Sequence, residues 1–337
     1  NREGHHKMVT YYKIGDAFCA SVHGNLPYEK TEKPAAGTKL TWLFTGDPGS
    51  RRASFLVDHP AELFAEKEDV SWLNTNRLDA SATDGQIGEL PQEVMDQIKT
   101  GTLRAVNASH PKFKEILAYE PKDGKKRVHV LAIGDVGSML LTGLHLLGGD
   151  VISSIGICDI SDKVTARWEF EENQIAYPWD YDAMPEVDVV APEHLFDCDV
   201  FVFVASKGIP PVGSGVKDVR MYQFENNSKI IGHYAKMARE KNFKGLFCAV
   251  SDPVDPLAKT AFLESNKNEA GEYDWMGLLP EQIQGFGLGV MNARAAYYAK
   301  RDPRFKQFLT EGRSFGPHGQ DPVSYTHLRA HETSLHL

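Results

Sequence analysis

Apolar residues follow two different spacings along the second half of the chain. Segments with apolar residues at helical spacing alternate with short β-branched or apolar runs that fit buried strands. The helical segments lie at residues 138–147, 164–174 and 226–239, and the runs at 128–133, 155–158, 187–190, 200–205 and 245–250. This alternation predicts an α/β fold with a doubly wound parallel sheet, in which ligands bind at the carboxyl ends of the strands.

The first part of the chain has a mixed pattern. Residues 10–15 and 39–46 predict strands, and residues 91–100 and 110–118 predict short helices. Turn-forming residues at 47–50 and polar residues at 79–89 indicate surface loops. The stretch PKDGKK at 121–126 fits a linker. We therefore expect a small α+β domain at 8–126, used for packing, assembly or regulation, ahead of the α/β region.

A glycine-containing turn joins the first strand of the α/β region to its helix. Ala132, Gly134 and Gly137 occupy the three fixed positions of a G-x-G-x-x-G pattern, with Asp135 and Val136 between the glycines. The missing side chain at the second position lets a pyrophosphate approach the backbone, and at the third it lets helix and strand pack closely. The helix N-terminus then offers N–H groups and a partial positive charge. The turn predicts a Rossmann-type dinucleotide site.

An acidic residue completes this pattern. Asp159 ends the next apolar run, about 20 residues beyond the turn, where a ribose-binding carboxylate belongs. A carboxylate accepts hydrogen bonds from both hydroxyls of an unmodified ribose and repels a 2′-phosphate, so NAD is favoured over NADP.

Composition narrows the class of protein further. The 337 residues, 42% hydrophobic and 25% charged, suit two or three globular domains. The net charge of −9 argues against a general nucleic-acid binder, and no apolar run approaches membrane-spanning length. The cysteines are widely spaced and form no C-x-x-C pair or metal-ligand pattern; they are Cys19, Cys158, Cys198 and Cys248. Reduced thiols in a cytoplasmic protein are expected, with no metal site.

Both ends of the chain have features of artefacts. Residues 1–4 can be encoded by a purine run like a bacterial ribosome-binding site, which makes Met8 the expected start and residues 1–7 upstream translation. Residues 323–333, VSYTHLRAHET, look like a translated transposase sequencing adapter. We therefore expect residues 322–337 to be artefactual and the bacterial protein to continue beyond Asp321. The alternative is a genuine polar, histidine-rich tail.

Residues 127–321 carry several motifs in a fixed order. They are the turn with Asp159, the loop ending at Arg220 followed by Asn227, SDPVD at 251–255, the segment from Gly285 to Arg294, and GPHG at 316–319. In this order they resemble the lactate/malate dehydrogenase family, whose motifs S/G-N-P-V-D, G-x-G…L-D-S-A-R and G-E-H-G are similar to the last three. The resemblance implies an NAD-binding domain at 127–255 and the start of an α+β substrate domain at 256–321.

The resemblance also implies roles for individual residues in moving hydride between a 2-hydroxy acid and nicotinamide. His318 would take the hydroxyl proton, because an imidazole titrates near neutrality. Arg294 would hold the substrate carboxylate with its planar guanidinium. Arg220 would close over the site and polarise the carbonyl. The turn, Asp159 and Asn227 would bind NAD. Family members are commonly dimers or tetramers, so a homo-oligomer is implied, with no nucleic-acid or membrane partner.

Two positions depart from the family pattern. Met291 stands where the family has the aspartate that orients the histidine, and Asp252 replaces the asparagine of N-P-V-D. One hypothesis is that Asp252 supplies the negative charge that His318 has lost at position 291. The opposing hypothesis is an NAD-binding or regulatory module whose chemistry is lost or changed. The NAD-dependent glycosidases, a third class, need a cysteine and histidine metal site whose spacing is absent here.

The loop that precedes Arg220 bears on which substrate is bound. It is longer than in the family, and Pro211 or Val212 lies near the position that reads the second substituent. Lys217 is the only nearby extra cation. Because a dicarboxylate needs a second positive charge, malate is slightly favoured over lactate. Truncation within the substrate domain predicts poor activity for this polypeptide even if NAD binds.

Overall fold

The structure is a computed structural model. It describes residues 9–64, 68, 90–208, 215–316 and 318, together with the backbone of residues 323–325 and 334–335. The predicted loop at 79–89 and the positions Pro211 and Val212 lie outside the described residues. The chain divides into two compact units: Asn1–Lys122 with Asn268–Glu281, and Asp123–Lys267 with Gln282–Leu337.

The first unit contains a six-stranded mixed sheet in the order β3-β1-β2-β4-β6-β5. Its strands and helices are β1 Thr10–Ile14, β2 Ala17–Ser21, β3 Glu29–Thr31, β4 Leu40–Phe44, β5 Ser54–Leu56, α1 Gln92–Lys99, β6 Arg104–Asn107 and α2 Phe113–Ala118. Every residue of β4 is buried. Alternate residues of this strand join different cores: Trp42 packs with Val94 of α1, and Leu43 packs with Ile116 of α2. The sheet therefore has a hydrophobic core on each face.

A segment from much later in the chain completes this unit. Leu278, in Asn268–Glu281, is 2% exposed. A Cβ at Gly49 would lie 2.6 Å from the Trp275 ring, so the glycine makes room for the indole. The Glu281 carboxylate accepts hydrogen bonds from the backbone N–H groups of Ala53, at 3.0 Å, and Ser54, at 2.8 Å. The domain boundaries predicted from the sequence did not include this return of Asn268–Glu281 to the first unit. The predicted boundaries stay predictions.

The second unit is built on a six-stranded sheet in the order β12-β11-β10-β7-β8-β9, and every pair is parallel. Its strands are β7 Lys126–Leu131, β8 Ile152–Cys158, β9 Glu186–Val189, β10 Val200–Phe203, β11 Leu246–Ala249 and β12 Ile283–Gly285. The intervening helices are α3 Asp135–Leu147, α4 Asp162–Glu172, α5 Val219–Glu240 and α6 Val254–Ser265. The strand order reverses between β7 and β10, as in the doubly wound dinucleotide-binding fold. The predicted fold class is confirmed.

Beyond the sheet the second unit continues with two helices and short strands. These are α7 Leu288–Ala299, α8 Phe308–Glu311, β13 Arg313–Phe315, β14 Val323–Tyr325 and β15 Ser334–Leu335. The three strands form an antiparallel sheet. Ala295, Ala299 and Phe308 form the small core between α7 and α8.

One helix begins earlier than its apolar pattern indicates. The sequence predicted a helix from residue 226, but α5 starts at Val219, and Asp218 caps it by accepting a hydrogen bond from the Met221 N–H at 3.0 Å. The first turn has no buried apolar stripe, because Val219 and Met221 are 40% and 49% exposed. Arg220 therefore lies in the first turn of α5, not in the preceding loop as predicted.

All four cysteines are free, as predicted. Burial raises the pKa of the Cys19, Cys198 and Cys248 thiols to about 12. Because the thiolate is the reactive form, these groups are protonated and unreactive near neutral pH. Among the residues that the structure describes, no helix has the length and apolar character needed to cross a bilayer.

His110 in the first unit should make stability depend on pH. Its ring is 5% exposed, and Nδ1 accepts a hydrogen bond from the Lys112 N–H at 3.0 Å. Burial lowers the pKa of His110 to about 4, with Lys112 adding to the shift. Between pH 6.5 and about pH 4 the unfolded chain therefore binds a proton at His110 that the folded chain does not bind. We expect unfolding free energy to fall by about 2 kcal/mol as the pH drops from 6.5 to 4.

Denaturant unfolding at several pH values would measure this dependence. His110→Asn is the matched variant, because an amide oxygen can accept the same N–H but does not titrate. The variant should lose this part of the pH dependence. An unchanged profile would show that His110 does not carry it.

Candidate functional site

The turn between β7 and α3 is built by three residues with different constraints. Ala132 has φ +76°, a left-handed conformation that favours glycine, the residue usual at this position. A Cβ at Gly137 would lie 2.0 Å from the Ala132 carbonyl oxygen, so only glycine lets α3 pack this close to β7. A Cβ at Gly134 would meet nothing within 4 Å. The space beside Gly134 is therefore open to a ligand.

The start of α3 leaves its backbone N–H groups available. Gly134 is the N-cap residue, and no side chain caps this end. Asp135 and Val136 follow in the first turn and are exposed. Uncapped N–H groups and the helix dipole favour an anion at this position, while the Asp135 carboxylate opposes one.

Asp159 ties the turn to the end of β8. Its Oδ2 accepts a hydrogen bond from the Ile133 N–H at 2.7 Å, and its Oδ1 accepts one from the Ser161 N–H at 3.0 Å. An ionised carboxylate has about four acceptor positions, so both oxygens can still accept hydrogen bonds from hydroxyl groups. The open space at Gly134, the uncapped helix and this carboxylate fit the pyrophosphate and ribose of a dinucleotide.

Asn227 connects the carboxyl ends of β10 and β11. It is 1% exposed on α5. Its Oδ1 accepts a hydrogen bond from the Lys207 N–H at 3.0 Å, and its Nδ2 donates to the Asp252 carbonyl oxygen at 2.8 Å. Its side chain is therefore engaged with the protein backbone and fixes the two loops that follow these strands.

Asp252 brings two predicted catalytic residues together. Its Oδ1 lies 3.2 Å from Nε2 of His318 and 3.9 Å from a guanidinium nitrogen of Arg220. Oδ1 itself is buried and makes no hydrogen bond within the described residues. Its distance from the imidazole is short enough for an ion pair, but the two groups lack the alignment of a hydrogen bond. The acid gained at position 252 thus faces the histidine, which the sequence hypothesis required.

Two further residues position His318, and the sequence analysis missed their roles. The His318 N–H donates to Oδ2 of Asp255 at 2.8 Å. A Cβ at Gly287 would lie 2.5 Å from the imidazole, so this glycine makes room for the ring. Asp255 stands in SDPVD and Gly287 in the G-F-G segment, so both belong to motifs that were already recognised.

Arg294 stands apart from this cluster. Its side chain is exposed on α7 and makes no hydrogen bond or ion pair with any described residue. Met291 lies one turn before it, at the position where the family has an aspartate. Oδ1 of Asn292 and Nδ1 of His318 are buried without a hydrogen-bond partner in the part of the chain that is described. The structure brings Asp252, His318 and Arg220 together, and Arg294 is exposed without a partner among the described residues.

The described residues contain no group of three or more histidine, cysteine, aspartate or glutamate side chains arranged to hold a metal ion. The fold and the turn define a doubly wound α/β protein with the features of a dinucleotide-binding domain.

Comparison with known proteins agrees with the motifs. The chain is 24% identical over 201 residues to the L-lactate dehydrogenase of Mycoplasma mobile, covering 59% of this chain and 56% of that protein. The resemblance to the lactate/malate dehydrogenase family is confirmed by this relative. The chain spans little more than half of its length. No family model matches the chain.

The solved structures that are similar to the chain include lactate and malate dehydrogenases. A lactate dehydrogenase from a Medee basin deep-sea metagenome is 18% identical, with a TM-score of 0.46, 60% of this chain and 58% of that chain covered. The malate dehydrogenase of Picrophilus torridus is 20% identical, with a TM-score of 0.45 and the same coverage. The malate dehydrogenase of Archaeoglobus fulgidus in complex with NADH is 17% identical, with a TM-score of 0.43, and 59% of this chain and 60% of that chain are covered.

Proposed function

We propose that the chain is part of an NAD-dependent oxidoreductase that interconverts a small 2-hydroxy acid and its 2-oxo acid. The observation that carries this proposal is the 3.2 Å approach of Asp252 to His318, beyond the carboxyl end of β11. Ligands of doubly wound folds bind at this edge of the sheet. The family resemblance supports the same reaction.

NAD is the proposed cofactor, and it would supply the hydride acceptor or donor. The backbone at Gly134 and Gly137 and the start of α3 would hold its pyrophosphate. Asp159 would accept the ribose hydroxyls, which favours NAD over NADP. Asn227 would keep the loops after β10 and β11 in place beside the nicotinamide.

The side chains at the carboxyl edge would move the proton and bind the substrate. His318 would take the hydroxyl proton of the 2-hydroxy acid as general base. Asp252 would stabilise the imidazolium that forms, in place of the acid absent at Met291. Arg294, exposed and free of protein partners among the described residues, would bind the carboxylate, and Arg220 would polarise the 2-oxo group.

Malate and oxaloacetate are the proposed substrate pair, because Lys217, near the loop that precedes α5, offers the second positive charge that a dicarboxylate needs. The resemblance supports a homo-oligomer, and free cysteines support a cytoplasmic protein.

The second candidate is an NAD-binding module with impaired chemistry, which Met291 favours. The two candidates separate in one experiment, performed on this chain and on the protein recovered from its source gene. NADH binding is followed by fluorescence, and NADH oxidation is measured with oxaloacetate and pyruvate in parallel. Turnover with either acid supports the dehydrogenase. Binding without turnover in the recovered protein supports the module, and absence of binding contradicts both.

Asp135→Asn should raise the affinity for NADH about fivefold. The exposed carboxylate lies in the first turn of α3, where it would repel the pyrophosphate with an energy on the order of 1 kcal/mol. The same change should lower stability slightly, because an acid at a helix N-terminus is favourable by about 0.3–1 kcal/mol. Asp150→Asn, an exposed acid after α3, is the control. Equal NADH affinity in both variants would place the pyrophosphate elsewhere.

A further inference from the structure

The first unit contains a cleft that the proposed function does not use. It has a volume of about 970 Å³ and opens on the face of the sheet that carries α2. Its apolar lining includes Ile14, Ala17, Tyr28 and Leu117, and the Tyr28 ring is fixed by a contact with Phe113, with 5.2 Å between ring centroids. Clefts of this size accommodate small organic molecules.

Four cationic side chains line this cleft. Leu43 and Val106 pack with α2, so Arg104, two residues from Val106 in β6, lies on the same face. Lys39, immediately before β4, lines the cleft as well. Lys114 of α2 also lines the cleft. The Lys13 ammonium lies 3.8 Å from the centroid of the Phe18 ring, and both residues also line the cleft.

The acids near the cleft do not balance these cations. Glu29 lies directly across the strands from Lys13, and both line the cleft, so their charges offset each other. Asp16, exposed in the turn before β2, lines the cleft as well. Glu120 lies 3.6 Å from Lys39, which accounts for one cation. Four cations, Lys13, Lys39, Arg104 and Lys114, therefore line the cleft with three acids, Asp16, Glu29 and Glu120, which leaves one positive charge in excess.

Arg104 and Lys114 form no ion pair with a carboxylate among the described residues. Arg104 donates to the Tyr119 and Leu117 carbonyl oxygens, both at 2.7 Å. Burial lowers the pKa of Arg104, and the nearby Glu120 carboxylate opposes this shift only in part. Lys114 is exposed and forms no ion pair with a described residue. An anion in the cleft would offset the remaining cost of the Arg104 charge.

We propose that the cleft binds a small amphipathic anion, with its carboxylate or phosphate at Lys114 and Arg104 and its apolar body against Tyr28, Ile14 and Leu117. The charge excess selects the sign of the head group, and the apolar lining selects a ligand with a hydrophobic body. A small polar anion would leave the apolar lining of the cleft exposed to water.

Calorimetry on the full chain tests this proposal with matched probes. We expect 3-phenylpropionate and phenyl phosphate to bind, with the tighter of the two identifying the head group. Acetate lacks the apolar body and 3-phenylpropan-1-ol lacks the negative charge. Each should therefore bind at least about tenfold more weakly than the better aromatic anion. Equal binding of the alcohol, or no binding of either aromatic anion at millimolar concentration, would overturn the proposal.

Variants locate the binding. Lys114→Ala should weaken binding of the better probe about tenfold, and Lys114→Arg should largely preserve it, because the arginine keeps the charge. Lys99→Ala, at the end of α1, is the control and should bind normally. Arg294→Ala should also bind normally, since Arg294 belongs to the second unit and does not line the cleft. Loss of binding in Arg294→Ala, or full binding in Lys114→Ala, would overturn the assignment to this cleft.

Discussion

Replacing Asp252 with asparagine is expected to lower the turnover of oxaloacetate or pyruvate by roughly 10²–10⁴-fold, the size of a general acid–base contribution. Oδ1 of Asp252 lies 3.2 Å from Nε2 of His318, and an amide there cannot stabilise the imidazolium by its charge. NADH affinity should change little. The measurement is kcat and KM for the protein recovered from its source gene, with NADH binding measured separately.

Asp150→Asn is the matched control, because it removes the same charge from an exposed site and should leave kcat unchanged. An Asp252→Asn enzyme as active as the parent, or more active, would end the idea that Asp252 replaces the acid missing at Met291.

Leu278→Ala is expected to destabilise the first unit by about 2–5 kcal/mol, the range for a buried leucine. Leu278 is 2% exposed in Asn268–Glu281, the segment that returns to this unit. Hydrogen exchange can assign the loss to one unit. Amides of β4 and β6 should exchange faster in the variant, while amides of β7 and β8 should keep their protection.

Met276→Ala provides the comparison for this variant. Met276 is two residues earlier in the same segment and 44% exposed, so its truncation should change the free energy of unfolding by less than about 0.5 kcal/mol. Equal effects of the two variants would mean that the segment is not held by burial of Leu278. Loss of protection confined to β7 and β8 would contradict its assignment to the first unit.

Local features of the sequence determined the doubly wound fold and the dinucleotide turn. Strand and helix periods are set by neighbouring residues, and the turn needs glycine at Gly137 because a Cβ would strike the Ala132 carbonyl oxygen at 2.0 Å. The position of Asp159 follows from the same short unit. The start of α5 was misjudged because a polar cap, Asp218, and not an apolar stripe sets it.

Tertiary structure alone decided which distant residues meet. The sequence raised the pairing of Asp252 with His318 only as a hypothesis, and their 3.2 Å approach depends on the strand order and on the space left by Gly287. The return of Asn268–Glu281 to the first unit had no local signal at all, because its anchors, Leu278 and Glu281, find their partners far away in the chain. Hydrophobic periodicity depends on residues close together in the sequence, whereas the packing partners of a side chain depend on the whole fold.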